Sequence, residues 1–215
     1  MIKKISRYEM LNEILNCVTH GLGFILSIIA LIALTTKAAN LKSSIHVIAY
    51  LIFGIAQVLL FFSSTIYHSL MFTKFKRVFQ IIDHSSIYLL IAGSYTPYCL
   101  LAIGGTFGWG LYSFIWTCAI AGIVYKNITM SKENKIPKYS MITYVLMGVF
   151  AILIIEPLYK SIGLTGVLLL VSGGLFYFLG TYFYRSKNMN FSHPIWHIFV
   201  ILGATYIYFS IFLTT

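Results

Sequence analysis

The sequence predicts an all-α membrane protein, a bundle of seven transmembrane helices with a cytoplasmic N-terminus and a C-terminus outside the cell. Composition is the first observation: 59% of the residues are hydrophobic and 9% are charged, whereas soluble domains are about 25% charged. The second is a series of apolar runs of about 20 residues, the length that crosses a hydrocarbon core of about 30 Å as a helix. The third is an alternation of basic residues between loops. We therefore expect a multi-pass protein of the cell membrane.

Seven apolar runs account for most of the chain and define a transmembrane domain over residues 18–215. The short alternating segments of an outer-membrane barrel are absent. Residues 1–17 contain MIKKISRYEMLNEIL, which is amphipathic and is followed by no small-residue cleavage site. We expect a retained, cytoplasmic interfacial segment and not a signal peptide. The predicted spans are 18–36, 45–69, 79–103, 107–125, 140–159, 162–184 and 194–214.

Basic residues predict the orientation of the spans, because cytoplasmic loops carry the excess of Lys and Arg. Twelve of the 15 Lys and Arg fall in the N-terminal segment and in the second, fourth and sixth loops, with Lys126 assigned to the fourth. The other three, Lys37, Lys42 and Lys160, fall in the first and fifth loops. Basic residues thus mark alternate loops, and the C-terminal tail has none. This pattern supports an odd number of spans.

The net charge of +10 has the same explanation. Basic loops at the inner face of a membrane attract the anionic lipid of the inner leaflet. Basic and aromatic residues do not interleave as they do in nucleic-acid-binding surfaces, so nucleic acid is not an expected partner. Cys17, Cys99 and Cys118 lack C-x-x-C spacing and are interpreted as small apolar residues.

The stretch His193-Pro-Ile-Trp-His197 opens the last apolar run. Its histidines are one helical turn apart and project from one face, and Pro194 suits the first position of a helix. Two neutral imidazoles on one face form half of a zinc site. The alternative is that both histidines lie at the membrane interface with their polar tips in water.

Two further polar residues, His68 and Asp83, are predicted at the same depth as these histidines. His68 lies near the cytoplasmic end of the second span, with Ser64 one turn deeper on the same face, and Asp83 opens the third span. An ionisable residue within a span costs several kcal/mol unless it is paired, hydrated or coordinating. Asp83, the only Asp in the chain, is either part of a functional site or an acid at a helix N-terminus.

Together these residues predict a divalent metal site. His68, His193 and His197 would be the ligands, with a fourth position open to water, and the carboxylate of Asp83 would be a general base. Imidazole and carboxylate also suit iron or manganese. We favour Zn²⁺ because thiolates are absent and nothing indicates redox chemistry.

Glu13, Asn16 and His20 lie on one helical face at the cytoplasmic side. Two interpretations stay open: they support the metal ligands by hydrogen bonds, or they cap and solvate the first helix. His84 follows Asp83 and would point about 100° away from it, so we interpret it as interfacial. His46, at the outer end of the second span, is not expected to take part.

These motifs resemble those of the hemolysin III proteins, which belong to the progestin and adipoQ receptor family that includes the adiponectin receptors. The resemblance covers essentially the whole chain. It is carried by three motifs at the starts or ends of spans and by one before the first span: Ser64-x-x-x-His68, Asp83, His193-x-x-x-His197 and Glu13-x-x-Asn16-x-x-Thr19-His20-Gly21.

The resemblance implies a seven-helix fold, an intracellular N-terminus and zinc near the cytoplasmic side. It implies that His68, His193 and His197 ligate the zinc, that Asp83 holds or activates a zinc-bound water, and that Ser64 hydrogen-bonds nearby. The wider superfamily includes alkaline ceramidases, which implies hydrolysis of a lipid amide by analogy. The chain lacks the long N-terminal domain of the eukaryotic receptors and its outer loops are short, so a receptor for a polypeptide hormone is not expected.

Two classes of function follow from the sequence. The first is a zinc-dependent hydrolase that cleaves an amide or ester bond of a membrane lipid with a metal-bound water. The alternative is a membrane sensor, transporter or homeostasis protein in which the metal only fastens helices together. A cytolytic pore is disfavoured, because no repeated polar stripe lines a water pathway.

Overall fold

A computed structural model describes residues 6–133, 140–186 and 188–215 of the 215-residue chain. Within these ranges the secondary structure is helical and no strand occurs. The α-helices are α1 (Arg7–Leu41), α2 (Ser44–Ser69), α3 (Lys76–Pro97), α4 (Gly105–Glu133), α5 (Ser140–Val149), α6 (Ile155–Arg185) and α7 (Ser192–Thr214). A π-helix, Tyr98–Ile103, extends α3, and a 3₁₀ helix, Phe150–Ile154, joins α5 to α6.

The helices pack mainly against their neighbours in the chain, and the last helix returns to the first. α1 packs along α2, α2 along α3, and α6 along α7, while α7 also contacts α1. The contact between α7 and α1 places the starts of both helices beside the end of α2. This end of the bundle holds the candidate site.

Helix α1 is amphipathic in the opposite sense to a helix of a soluble protein. Its exposed face is apolar and includes Val18, Leu22, Ile25 and Ile29, each more than half exposed. Apart from Leu34, its buried residues are polar or small, namely Asn16, His20, Gly23, Ser27 and Ala38. A soluble helix buries its apolar stripe, whereas a helix in lipid packs small and polar residues against its neighbours. The protein is therefore a multi-pass membrane protein.

Six helical segments are long and apolar enough to span a membrane within the described ranges. The fifth, Ser140–Arg185, has 46 residues and would measure about 69 Å as a straight helix, more than twice the hydrocarbon thickness. It contains both of the predicted spans 140–159 and 162–184. Its backbone leaves helical geometry at Gly163, where φ is 65° and ψ is −176°. The sequence predicted seven spans, and the structure supports six apolar helical segments.

One predicted boundary falls within a helix, and one lysine lies outside its expected loop. The predicted limit between an interfacial segment (1–17) and the first span falls inside the continuous helix α1, which begins after a capping box made by Ser6 and Glu9. Where the membrane surface crosses α1 stays a prediction. Lys126, expected in a loop, lies in α4 and is only 1% exposed.

The lysine is buried because α5 covers it. Its ammonium group donates a hydrogen bond to the hydroxyl of Tyr144 and lies 4.9 Å from the centre of that ring. The Tyr144 hydroxyl in turn donates to the carbonyl of His84, at 2.8 Å. The face of the ring and the hydroxyl oxygen interact favourably with the ammonium group and so replace part of its hydration.

An apolar cluster lies beside the candidate site and joins α2, α3 and α7. Its buried members are Leu60, Phe61, Leu90, Val200 and Ala204. Helices α2 and α3 approach closely where two small residues face each other. At Gly93 of α3, an added Cβ would lie 2.6 Å from Cβ of Ala56 in α2, which is too short for two carbon atoms.

Replacing Gly93 with Ala is therefore expected to destabilise the fold by about 1 to 3 kcal/mol, because α2 and α3 would have to separate. The matched control is Gly110→Ala in α4, where no atom lies within 4 Å of the added Cβ; it should be neutral or slightly stabilising. Thermal unfolding of the purified protein in detergent measures both. Equal melting temperatures would contradict the close α2–α3 contact.

Candidate metal centre

Three histidines meet at the end of the bundle where α2 ends and α7 begins. His68 is in the last turn of α2, and His193 and His197 are in the first two turns of α7. One ring nitrogen of each lies within 4.8 Å of the others. Nitrogens bound to one zinc at about 2.0 Å are about 3.3 Å apart in a tetrahedron, so small side-chain shifts would bring the three onto one ion. The three histidines that the sequence places at one depth thus lie close together in the structure, and their role as metal ligands stays a prediction.

A hydrogen bond to one ring nitrogen orients the imidazole of His68 and leaves the other nitrogen without a partner. Its Nδ1 lies 2.7 Å from Oε2 of Glu13 in α1. A carboxylate only accepts hydrogen bonds, so Nδ1 is the nitrogen that carries the proton. Nε2 then keeps its lone pair, and it is buried without a partner in the described part of the chain. A carboxylate behind a histidine is the usual arrangement that orients a metal ligand.

The ring of His197 is held in the same way by the backbone of α1. Its Nδ1 donates to the carbonyl of Asn16 at 3.2 Å, and Oγ1 of Thr19 lies 3.1 Å from the same nitrogen. Nε2 of His197 is again buried and unpartnered among the described residues. The side chain is fully buried. The Nε2 atoms of His68 and His197 thus each have a buried lone pair with no hydrogen-bond donor beside it in the described part of the chain. These lone pairs are suited to bind a cation.

His193 is the most accessible of the three histidines. Its ring centre lies 5.2 Å from that of His68 and 4.7 Å from that of His197. Trp196 packs beside it, with ring centres 4.9 Å apart. The site is thus closed on the α7 side by an aromatic ring, and His193 lies at its edge.

Asp83 and Ser64 are buried near the histidines but make different contacts. Ser64 is in α2, one turn before His68, and is 1% exposed. Asp83 is in α3, within range of electrostatic interaction with His68 and His20. Its carboxylate lies outside the set of mutually close ligand atoms. The catalytic roles of both residues stay predictions.

His84 lies deeper than the sequence suggested. It was expected to be interfacial and to point away from Asp83, but it is buried, and its Nδ1 lies 3.4 Å from Oδ2 of Asp83. Neighbouring side chains diverge by about 100° on a helix, yet both of these are long enough to bend together. Tyr67 of α2 covers the imidazole, with ring centres 6.1 Å apart.

The three residues on α1 contact the histidine cluster. Glu13 and the carbonyl of Asn16 hold His68 and His197, as described above. His20 stacks on His197, with ring centres 3.5 Å apart and planes 12° from parallel. Thr19 was given no role from the sequence, although it falls within the same motif; only the structure shows its contact with His197.

A multi-pass helical bundle with a buried histidine cluster at one end defines a class of membrane protein with a candidate metal centre. Comparison with known sequences then identifies the family. Residues 8–208 match the family described as "Haemolysin-III related", and the chain belongs to this family.

The chain is 39% identical over 213 residues to "Hemolysin-3" of Bacillus cereus, covering 98% of this chain and 96% of that protein. It is 41% identical over 204 residues to "Hemolysin-3 homolog" of Bacillus subtilis, covering 95% and 94%. A human protein, "Monocyte to macrophage differentiation factor", is 29% identical over 202 residues, covering 91% and 81%.

Replacing Glu13 with Gln is expected to weaken metal binding by about 10- to 100-fold, because the imidazole of His68 loses its anionic acceptor. Titration of the metal-free protein with Zn²⁺ measures the change. The matched control is Glu156→Gln, since Glu156 forms an exposed pair with Lys160 in α6, far along the chain from the cluster. An equal change in both variants would show that Glu13 does not support the site.

Proposed function

We propose that this protein is a membrane hydrolase that binds Zn²⁺ through His68, His193 and His197 and cleaves an amide or ester bond of a lipid. The observation that carries the proposal is the pair of buried, unpartnered Nε2 atoms of His68 and His197, within a set of three mutually close nitrogens. Neutral imidazole suits zinc, and three histidine ligands are typical of catalytic sites that keep one position open.

The metal would supply Lewis acidity, since a bound zinc ion lowers the pKa of a coordinated water to about 7 and polarises a carbonyl. The protein's residues do the rest. Glu13 and the carbonyl of Asn16 fix which nitrogen of His68 and His197 carries the proton. Asp83 would accept a proton from the attacking water at its carboxylate, and the hydroxyl of Ser64 would donate a hydrogen bond beside it.

A lateral recess supports the idea that the substrate is a membrane lipid. It has a volume of about 200 Å³ and is lined by α2, α3 and α4. Leu59 and Ile82 at its edge are exposed on the outer surface of the bundle. The lining also includes the polar side chains of Ser85, Ser86 and Asn127, and the hydroxyl of Ser86 donates to the backbone carbonyl of Asp83 at 2.6 Å.

The proposal includes seven membrane crossings with the N-terminus in the cytoplasm. The 46-residue segment Ser140–Arg185 is long enough for two of them, and Gly163 is the place where its helix breaks. The site would then lie near the cytoplasmic surface, where the basic loops contact anionic lipid.

A structural metal is the second candidate. The cluster joins α1, α2 and α7 through side chains and backbone, so an ion there would fasten the first, second and last helices. In that case the protein would be a metal-stabilised sensor, transporter or homeostasis protein. Hydrolysis of a lipid by the zinc-loaded protein would distinguish the hydrolase from this candidate.

Metal content is expected to be near one zinc per chain in the wild-type protein and to be lost in His68→Ala, His193→Ala and His197→Ala. Elemental analysis of protein purified in detergent without chelator measures it. His46→Ala is the matched control, since His46 contacts Ser43 at the other end of α2 and its loss should leave the zinc in place. Wild-type protein without stoichiometric metal would end the proposal.

Asp83→Asn is expected to keep the zinc and to reduce hydrolysis of a lipid amide or ester by about 100-fold or more, since a positioned general base contributes about 10² to 10⁴ in rate. The assay is turnover of a panel of N-acyl and O-acyl lipids by zinc-loaded protein. Zinc-replete wild-type protein that cleaves no member of the panel would favour the structural metal.

Cysteine labelling would test the number and direction of crossings. In a protein with Cys17, Cys99 and Cys118 replaced by Ser, we expect Ser43→Cys and Ser161→Cys to react with an impermeant maleimide in intact cells. Thr73→Cys and Ser186→Cys should react only after lysis. Labelling of Ser161→Cys only after lysis would contradict two crossings by Ser140–Arg185.

A further inference from the structure

The proposed reaction leaves one buried charge unused, the ammonium group of Lys126. This residue of α4 is 1% exposed and is the only buried Lys or Arg in the described part of the chain. An ammonium group inside a membrane bundle is costly unless it is paired or otherwise used. An apolar side chain of similar length, such as methionine, would fill the same space at a lower cost. Packing thus accounts for a long side chain here but not for its charge.

The ammonium group is joined to α3 through one tyrosine of α5. Lys126 donates to the hydroxyl of Tyr144, which donates to the backbone carbonyl of His84 at 2.8 Å. A hydroxyl that accepts a hydrogen bond from a cation is polarised and becomes a stronger donor. The ring of Tyr144 packs on Tyr88 of α3, with ring centres 4.5 Å apart, which fixes where its hydroxyl points. Helices α4 and α5 thus both act on α3 at His84.

The side chain of His84 in turn faces the carboxylate of Asp83. Its Nδ1 lies 3.4 Å from Oδ2 of Asp83, slightly longer than a normal N–H···O hydrogen bond, so a small rotation of either side chain would close it. This nitrogen is buried and has no hydrogen bond to any other group in the described ranges. A carboxylate only accepts, so Nδ1 would carry the proton. The backbone of His84 is therefore held by Tyr144 while its ring meets Asp83.

The charges at the two ends of this path are opposite. Lys126 lies within range of electrostatic interaction with Asp83, the only Asp in the chain. Opposite charges attract more strongly inside a protein than in water, because the effective dielectric constant is lower. The position of the ammonium group therefore favours a carboxylate at Asp83, and the hydrogen bonds between them favour one orientation of it.

We propose that Lys126, Tyr144 and His84 are positioning residues that orient the carboxylate of Asp83 toward the candidate metal centre. The inference rests on the proposed function, in which Asp83 accepts a proton from the attacking water. A general base must hold its accepting atom within hydrogen-bond reach of that proton. His84 occupies Oδ2 of Asp83, which leaves Oδ1 to accept.

The alternative is that these contacts only fasten α5 to the bundle. The chain contains a matched control for this alternative. Tyr95 of α3 donates to the backbone carbonyl of Met147 in α5 at 2.7 Å, a contact of the same kind between the same two helices. It lies three helical turns along α3 from Asp83, about 18 Å away. Removal of either hydroxyl would loosen α5, but only removal of the Tyr144 hydroxyl would change the surroundings of Asp83.

The test is a spectroscopic measurement on Asp83 itself. Full-length protein is made by cell-free synthesis with aspartate that carries ¹³C in its side-chain carboxyl group. Because Asp83 is the only Asp, one resonance reports its environment in the zinc-loaded protein at fixed pH, without any need for turnover. The variants are Lys126→Met and Tyr144→Phe. The controls are Tyr95→Phe and Lys160→Met, since Lys160 forms an exposed pair with Glu156.

We expect the carboxyl resonance to move by more than its linewidth in Lys126→Met and Tyr144→Phe and to stay in place in both controls. Zinc content should match the wild type in all four, because no histidine of the cluster is changed. Turnover of the lipid panel should fall by about 10- to 100-fold in the first two variants with little change in KM, as expected for a displaced catalytic group.

Substitutions of His84 provide a rescue experiment. His84→Phe keeps a ring beside Tyr67 but has no donor, and its turnover should fall as in Tyr144→Phe. His84→Asn presents an amide N–H at about the position of Nδ1, and its turnover should stay close to the wild-type rate. Equal losses in both variants would contradict a donor role for His84.

Three results would overturn the inference. An unchanged resonance in Lys126→Met and Tyr144→Phe would show that the path does not reach Asp83. Equal changes in Tyr144→Phe and Tyr95→Phe would show that the contact only fastens α5. Loss of zinc in Lys126→Met or Tyr144→Phe would show that these residues act through the metal ligands. If zinc-loaded wild-type protein cleaves no lipid but the resonances behave as expected, the hydrolase proposal fails while the orientation of Asp83 by these residues stands.

Discussion

The structure at this end of the bundle depends on the hydrogen bond between Glu13 and His68. Its two atoms are 2.7 Å apart, and it joins α1 to α2 across a largely buried polar region. It gives the proton of His68 to Nδ1 and leaves Nε2 as a lone pair. A largely buried carboxylate is costly without a partner, so the imidazole stabilises Glu13 while Glu13 orients the imidazole. The interior position of Asn16 and His20, one and two turns further along α1, follows from the helix that this contact holds in place.

The all-helical membrane fold and the grouping of three histidines could be predicted from the sequence for a physical reason. Lipid requires long apolar helices, so the apolar runs mark the segments directly. Polar residues that interrupt such runs are costly and therefore informative. His68, His193 and His197 stood out in this way, although they belong to two separated helices. Their convergence depended on the assigned orientation of each span, which places the end of α2 and the start of α7 on one side.

Other features could not be predicted, because they depend on packing between helices or on the reach of one side chain. The loop assignment of Lys126 assumed that a lysine ends a span, whereas Tyr144 of α5 provides a hydroxyl and a ring that let α4 continue. The prediction that His84 points away from Asp83 used only the angle between neighbouring residues on a helix. It did not take into account that both side chains are long enough to bend toward each other. The contacts of Glu13, Asn16 and His20 with α2 and α7 could not be predicted either, because local spacing does not encode them. The continuous segment Ser140–Arg185 shows a related limit, since a single glycine with positive φ separates two apolar runs without ending the helical assignment.

The return of α7 to α1 has a consequence for how the chain is assembled in the membrane. The hydrogen bond from His197 to Asn16 joins residues 181 positions apart, so the cluster cannot form until the last helix has been synthesised and inserted. Contacts between such distant residues form late, because the intervening chain must first be ordered. Until then Asn16 and His20 of α1 would face lipid or other helices. The polar face of the first helix would become buried only when the last helix packs against it. Completion of the histidine cluster is thus also the step at which the two ends of the chain are joined.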